Sequence, residues 1–122
     1  ADFTPEHYAD NKIKKDGKSE LSIPLVRTKD IISELGKRKE GRFLCGFAAE
    51  TADVAKYAKE KLERKNLDMI VANDVSQKGA GFEGSTNIVT MYFRDGSSAP
   101  LPLLEKSEVA NRILDEIVSR IK

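Results

Sequence analysis

FLCGFA at residues 43–48 and DMIVA at residues 68–72 are the two stretches that decide the fold. Each is a mostly apolar run of strand length, which is typical of a strand buried on both faces of a sheet. Between them, Thr51 is placed to cap a helix that continues to about Lys65. That helix repeats apolar residues on one face, at Val54, Ala58 and Leu62. A strand, a helix and a second strand in this order predict parallel pairing within one sheet.

The segment before this unit is more polar. We expect KIKK at 12–15 and LSIPLV at 21–26 to form short strands that are separated by the turn 16–19. Thr28 is placed to cap a helix that ends near Lys37, with Gly36 close to its end.

The segment after the unit predicts a hairpin and a final helix. NIVTMYF at 87–93, the turn 94–97 and LPL at 101–103 form the hairpin. Ser107 caps a helix to about Ile121, whose inward residues are Val109, Ile113, Ile117 and Ile121. The predicted fold class is α/β: a Rossmann-like three-layer α/β/α sandwich whose mixed sheet has a parallel centre and antiparallel hairpins.

Composition excludes several classes of protein. The 122 residues have room for one domain, and 21 basic against 20 acidic residues leave a net charge of +1, which does not favour nonspecific nucleic-acid binding. The longest apolar run is about six residues, against the roughly 20 of a membrane helix. One cysteine excludes an internal disulfide and a cysteine-built zinc site, and one histidine excludes a two-histidine metal site. We expect a reduced, cytoplasmic setting without membrane or nucleic-acid partners.

The predicted parallel strands end at Glu50-Thr51 and at Asn73-Asp74, and such ends are where α/β sheets bind ligands. Glu50 and Asp74, together with Asp2, are carboxylates that could hold a hydrated Mg²⁺, although each fits equally well as a cap or loop residue. The metal ligands therefore stay unknown at this stage. Cys45 lies inside the first apolar run and is expected to be an inert, buried thiol.

Each of three basic or glycine-rich patterns has a functional interpretation and a purely structural one. GAGFEG at 79–84 matches G-x-G-x-x-G, but a β-branched segment follows it instead of the helix that would receive a pyrophosphate, so it is read as a glycine loop. Lys12 and Lys14 would lie on one side of a strand, where they could bind an anion. Alternatively, they are charges that keep a solvated edge strand from aggregating. Lys61 and Lys65 share a helix face near its C-terminus, where base acceptors are better targets than phosphates, or are surface charge balanced by Glu60 and Glu63.

Several segments together resemble the phosphopantothenate–cysteine ligase domain of the bacterial coenzyme A pathway. They are Ala1-Asp2-Phe3, the lysine run 12–15, LVRTKDI (25–31), GFAAET (46–51), ERKNLD (63–68), ANDVSQ (72–77), GAGF (79–82) and the final LPL with its helix. The resemblance runs nearly end to end. It implies an enzyme that activates the carboxylate of 4′-phosphopantothenate with CTP as an acyl-cytidylate, then joins cysteine to give 4′-phosphopantothenoylcysteine, CMP and pyrophosphate.

The same resemblance implies the site residues. Lys12 matches the family's essential lysine and would neutralise charge as the carboxylate meets the α-phosphate. Asp2 matches a CTP-binding aspartate, and Lys29, Asp30, Ile31 and Ile32 match a nucleotide-binding helix start, at which some members carry Pro in place of Lys29. Phe47, Lys61 and Lys65 match the remaining CTP contacts and are predicted to hold the cytosine. Residues 15–20 match a flap that would close over the intermediate.

The implied partners are CTP, 4′-phosphopantothenate, cysteine, Mg²⁺ and a second copy in a homodimer, with FMN bound only by a linked decarboxylase domain. Residues 1–122 would be the C-terminal part of the ligase domain, an incomplete domain whose glycine-rich upstream segment lies outside the chain, so that the part alone would be impaired. The alternative is a non-catalytic dimerising module with a vestigial nucleotide groove.

Overall fold

Two units, residues 1–31 and 32–122, make up the chain in the computed structural model, which describes residues 1–78 and 84–121. The predicted glycine loop at 79–84 therefore lies almost wholly outside the described residues. Within the described ranges, no helix is both long enough and apolar enough to cross a membrane.

The first unit holds one short antiparallel pair, β1 (Phe3–Pro5) and β2 (Leu25–Arg27), with Phe3 opposite Arg27. The expected strand at 12–15 is wrong, as is its pairing with 21–26, since residues 11–24 contain no strand and are exposed throughout. A segment with four lysines and few apolar side chains has no face to bury, so it gains little from joining a sheet. Lys12 and Lys14 consequently do not share a strand face.

Helix α1 (Ile31–Lys37) begins three residues after Thr28, so the predicted cap is also wrong. The Thr28 hydroxyl donates to the Ala1 carbonyl at 2.6 Å, and the Thr28 N–H donates to the Asp2 carbonyl at 2.9 Å. Thr28 therefore extends the β1–β2 pairing instead of starting the helix. Lys29 and Asp30 precede α1, while Ile31 and Ile32 are its first two residues.

A four-stranded mixed sheet forms the centre of the second unit. Its strands are β3 (Cys45–Glu50), β4 (Met69–Asp74), β6 (Val89–Phe93) and β7 (Ser98–Pro100), in the order β3-β4-β6-β7. β3 and β4 are parallel, from Cys45 opposite Met69 to Glu50 opposite Asp74, and the other two pairs are antiparallel. The predicted βαβ unit is confirmed. The parallel pair lies at one edge of this sheet instead of its centre.

Helices cover both faces of the sheet, which agrees with the predicted α/β/α class. Helix α2 (Val54–Arg64) buries Ala58 and Leu62 against one face, where Ile32 of α1 also packs. Helix α3 (Lys106–Ile121) buries Val109 and Ile113 against the other. The largest fully buried side chains come from β4, from β6 and from a residue two positions before β4: Leu67, Met69, Ile70, Val71 and Met91.

Three local expectations in this unit need correction. Asp53, in a left-handed conformation, takes the N-cap position of α2 that was expected of Thr51. β3 is not buried on both faces, because its face toward α3 leaves Phe47 72% exposed. Ile121, expected to point inward, is 59% exposed, whereas Ile117 packs against the core.

The hairpin forms with a shifted partner strand. β7 begins at Ser98, directly after the turn, so the strand expected at 101–103 is wrong. A separate two-stranded sheet joins β5 (Thr86–Asn87) to β8 (Leu104–Glu105) and leads into α3, which starts one residue before the predicted cap Ser107.

The motif residues Asn66 and Asp68 tie together the amino ends of β3 and β4. Asn66 donates its side-chain amide to the Gly36 carbonyl at 2.8 Å, and the Asp68 carboxylate accepts from the Leu44 N–H at 2.8 Å and from Lys39 Nζ at 2.6 Å. Gly36 packs so closely on the end of α2 that an added Cβ would lie 2.0 Å from the Lys65 carbonyl oxygen. This part of the family motif therefore stabilises the fold.

We expect Gly36→Ala to lower the free energy of unfolding by about 2–4 kcal/mol, because α1 must move away from the backbone of Lys65. Urea unfolding measures the effect. Gly84→Ala is the matched control, since its nearest neighbour would be 3.8 Å away. Equal stability of the two variants would show that the contact at Gly36 is not a constraint.

Candidate functional site

The carboxyl ends of the two parallel strands lie side by side, as the sequence predicts. Glu50 ends β3 opposite Asp74, which ends β4, and the Val75 N–H donates to the Glu50 carbonyl at 3.0 Å. Hydrogen bonds from the Ser76 hydroxyl and the Gln77 side-chain amide hold the pKa of the Asp74 carboxyl below its ordinary value. This edge is where an α/β sheet of this kind receives a ligand.

A cavity of about 360 Å³ opens at this edge on the face that α3 covers. Asn73 lines it with a buried side chain, 9% exposed, and Phe47 flanks it with an exposed ring. Asn87 of β5 and Lys106 of α3 complete its polar lining, and the remaining lining residues are small or apolar: Ala48, Ala49, Val71, Val89 and Val109.

The chemistry of this lining suits a ligand with a planar ring and an anionic part. An aromatic ring offers a stacking face, and side-chain amides both donate and accept hydrogen bonds. The Asn87 side-chain oxygen Oδ1 already accepts from the Ile88 N–H at 2.9 Å, which orients that amide. Lys106 adds a cation, which attracts a carboxylate or phosphate.

An ion pair lies at the same carboxyl edge, on the opposite face of the sheet. Lys61 of α2 places its ammonium 2.5 Å from Glu50 Oε1. Both side chains are partly buried, with 31% of Lys61 and 16% of Glu50 exposed. Lys61 is thus brought to the carboxyl edge of the sheet, where the family resemblance expects a nucleotide contact.

The structure does not gather the three expected cytosine contacts at one point. Phe47 lies on the same face of β3 as Cys45, which packs toward α3, whereas Lys61 lies on the α2 face. Lys65 follows the last residue of α2, just before β4 begins, so its backbone lies at the amino end of the sheet. A ligand that contacts both Phe47 and Lys61 has to reach around the end or the outer edge of β3.

The other predicted residues lie in the first unit. Asp2 precedes β1, Lys12 lies in the exposed irregular segment, and Lys29 and Asp30 lead into α1. Residues 15–20, the expected flap, are exposed and contain an Asp16 side-chain turn, in which the Lys18 N–H donates to Asp16 Oδ1 at 3.0 Å. Their roles stay predictions.

The side chains at the carboxyl edge do not form a ready metal cage. Glu50 is engaged by Lys61, and Asp74 accepts from Ser76 and Gln77. Across residues 1–78 and 84–121, no three His, Cys, Asp or Glu side chains converge so as to hold a metal ion. Mg²⁺ is commonly bound through substrate phosphates and few protein groups.

Sequence reasoning missed Asn87 and Lys106 and named Asn73 only as a strand end. The two missed residues lie in the small β5–β8 sheet and at the start of α3. Neither belongs to a motif, and only the fold brings them beside β3 and β4. An isolated Asn near the start of a strand and an isolated Lys at the start of a helix form no sequence pattern that predicts a binding site.

The mixed sheet, its two helical layers and the cavity at its carboxyl edge define the class of α/β/α ligand-binding domains. Residues 1–121 match the family model of the DNA/pantothenate metabolism flavoprotein C-terminal domain, and the chain belongs to that family. The resemblance drawn from the motifs is therefore confirmed at the level of the family.

Relatives and a solved structure agree with this assignment. The chain is 50% identical over 122 residues to the coenzyme A biosynthesis bifunctional protein CoaBC of Bacillus subtilis and 47% identical over 121 residues to that of Haemophilus influenzae, covering 30% of each relative. It superimposes on the crystal structure of the C-terminal domain of a CoaBC protein with a TM-score of 0.73 at 44% identity, which covers 96% of this chain and 48% of that domain. The chain thus spans about a third of its relatives and half of the solved domain.

Cys45 is expected to be an unreactive thiol, because burial raises its pKa from 9.0 to about 11. At pH 8 the thiolate fraction should be about 0.1%, so alkylation should be about 100-fold slower in the native than in the unfolded protein. The neutral thiol stabilises the fold below pH 9, and that contribution is lost as the pH rises through 11. Iodoacetamide kinetics at several pH values check this, and equal native and unfolded rates would contradict it.

Proposed function

We propose that this chain supplies part of the active site of a CTP-dependent ligase that joins cysteine to 4′-phosphopantothenate in coenzyme A biosynthesis. The observation that carries the proposal is the 50% identity to a CoaBC protein over the whole chain. The cavity at the carboxyl edge supports it, since it combines an aromatic ring, side-chain amides and a cation. The reaction proceeds through an acyl-cytidylate, and pyrophosphate, CMP and 4′-phosphopantothenoylcysteine are its products.

Residues of the first unit are proposed to offset charge repulsion, to help bind CTP and to exclude water. Lys12 offsets the repulsion between the substrate carboxylate and the α-phosphate as they meet. Asp2 and residues 29–32 contribute to CTP binding, and residues 15–20 close over the intermediate and exclude water. The exposure of residues 11–24 supports this role, because such a segment is accessible to a ligand.

The second unit is proposed to bind the base. Phe47 offers its exposed ring as a stacking face, and Lys61 and Lys65 donate to the acceptors of cytosine. The proposed complex also includes a homodimer partner and Mg²⁺ carried by the phosphates of CTP. FMN belongs to a linked decarboxylase domain and is not bound by these residues.

Lys12→Ala is expected to lower kcat/KM at least 100-fold, because an unscreened charge remains at the reacting phosphate. Pyrophosphate release with CTP, 4′-phosphopantothenate and cysteine measures this in the protein at its natural length. Lys56→Ala, at an exposed position of α2, is the control and should match the wild type.

The outcomes separate the role of Lys12 from the proposed function. An active wild type with an equally fast Lys12→Ala variant would remove Lys12 from the reaction. An inactive wild type would refute the ligase assignment. If calorimetry then gave no preference for CTP over ATP alongside a stable dimer, the protein would be a non-catalytic module.

A further inference from the structure

The Glu50–Lys61 ion pair is short and partly buried, like the Lys39–Asp68 pair at the amino end of β4. Its two atoms lie 2.5 Å apart, and the carboxylate is only 16% exposed. Exposed pairs are mobile and screened by solvent, whereas a partly buried charge-assisted hydrogen bond holds its partners in place.

Rigid elements fix both ends of this pair. Glu50 belongs to the registered parallel pair β3–β4, and its carbonyl accepts from the Val75 N–H. Lys61 lies next to Leu62, which is 6% exposed, and one turn from Ala58, which is fully buried, so its helix cannot turn without opening the core. The backbone of Lys61 is therefore fixed, and the bond to Glu50 directs its ammonium toward the carboxyl edge.

The charge of the pair indicates what kind of ligand it suits. Glu50 neutralises Lys61, so together they attract a phosphate less than a lone lysine does. The ammonium keeps two further N–H groups, because it has three donors and no acceptor. An uncharged ring that presents acceptors is a better partner than an anion.

We propose that Glu50 is a positioning residue that holds the Lys61 ammonium for recognition of the pyrimidine and thereby favours cytosine over uracil. This inference rests on the proposed use of CTP. Cytosine presents two adjacent acceptors, O2 and N3, whereas uracil presents an N3–H donor at the second position. A fixed ammonium meets an acceptor in one base and a donor in the other, and the unmatched polar group is costly.

This role differs from the magnesium ligand that the sequence alone allows for Glu50. The Lys61 ammonium beside Glu50 Oε1 offsets the charge of this carboxylate and repels a second cation, which disfavours a metal there. Its neighbour Asp74 is likewise held by Ser76 and Gln77. The two carboxylates are thus used for orientation within the protein.

The test compares CTP and UTP in Glu50→Gln, which keeps the shape of the side chain and removes its charge. We expect the ratio of kcat/KM for CTP to that for UTP to fall about tenfold, with KM for CTP raised about fivefold and kcat within twofold of the wild type. Both nucleotides are measured on one preparation, so any loss of folded protein cancels from the ratio. Glu60→Gln, an exposed glutamate next to Lys61, is the control and should keep the wild-type ratio.

A second background tests whether Glu50 acts through Lys61. In Lys61→Met the ratio of kcat/KM for CTP to that for UTP should already be low. Adding Glu50→Gln to this variant should change the ratio by less than twofold. An unchanged ratio in Glu50→Gln, or an equal fall in both backgrounds, would overturn the inference. A wild type that does not use CTP would instead refute the proposed function on which it rests.

Discussion

The parallel pairing of β3 with β4 is the constraint on which the rest of the second unit depends. Six residues of each strand are in register, from Cys45 opposite Met69 to Glu50 opposite Asp74. At the amino ends, Asp68 fixes this register by accepting from the Leu44 N–H, while Asn66 holds α1. A slip of one residue would turn Phe47 and Glu50 to the opposite faces, so the cavity lining and the Glu50–Lys61 pair both depend on this pairing.

The alternation of side chains along β3 divides the candidate site between two faces of the sheet. Phe47 borders the cavity that contains Asn73 and Lys106, and Glu50 holds Lys61 on the other face. A ligand that uses both faces therefore has to lie at the end or the outer edge of β3.

Much of the second unit could be predicted because its signals are local. The apolar run at 68–72 and the helical repeat of Ala58 and Leu62 are confirmed, since burial acts directly on those patterns. The alternation of lysines in the run 12–15 predicts a strand that the structure does not contain, because these residues bury no side chain. The cavity lining by Asn87 and Lys106 depends on tertiary contacts between distant segments, which carry no sequence pattern.

In the proposed function, the nucleotide binds at the carboxyl edge of the sheet around β3. Hydrogen–deuterium exchange of the protein at its natural length, with and without CTP, tests it most directly, because ligand contact slows local opening of the backbone. Binding at this edge should slow exchange at residues 47–50 and 73–75 in the presence of CTP. Protection confined to the opposite end of the sheet, at the turn 94–97, with no change at these segments, would contradict it.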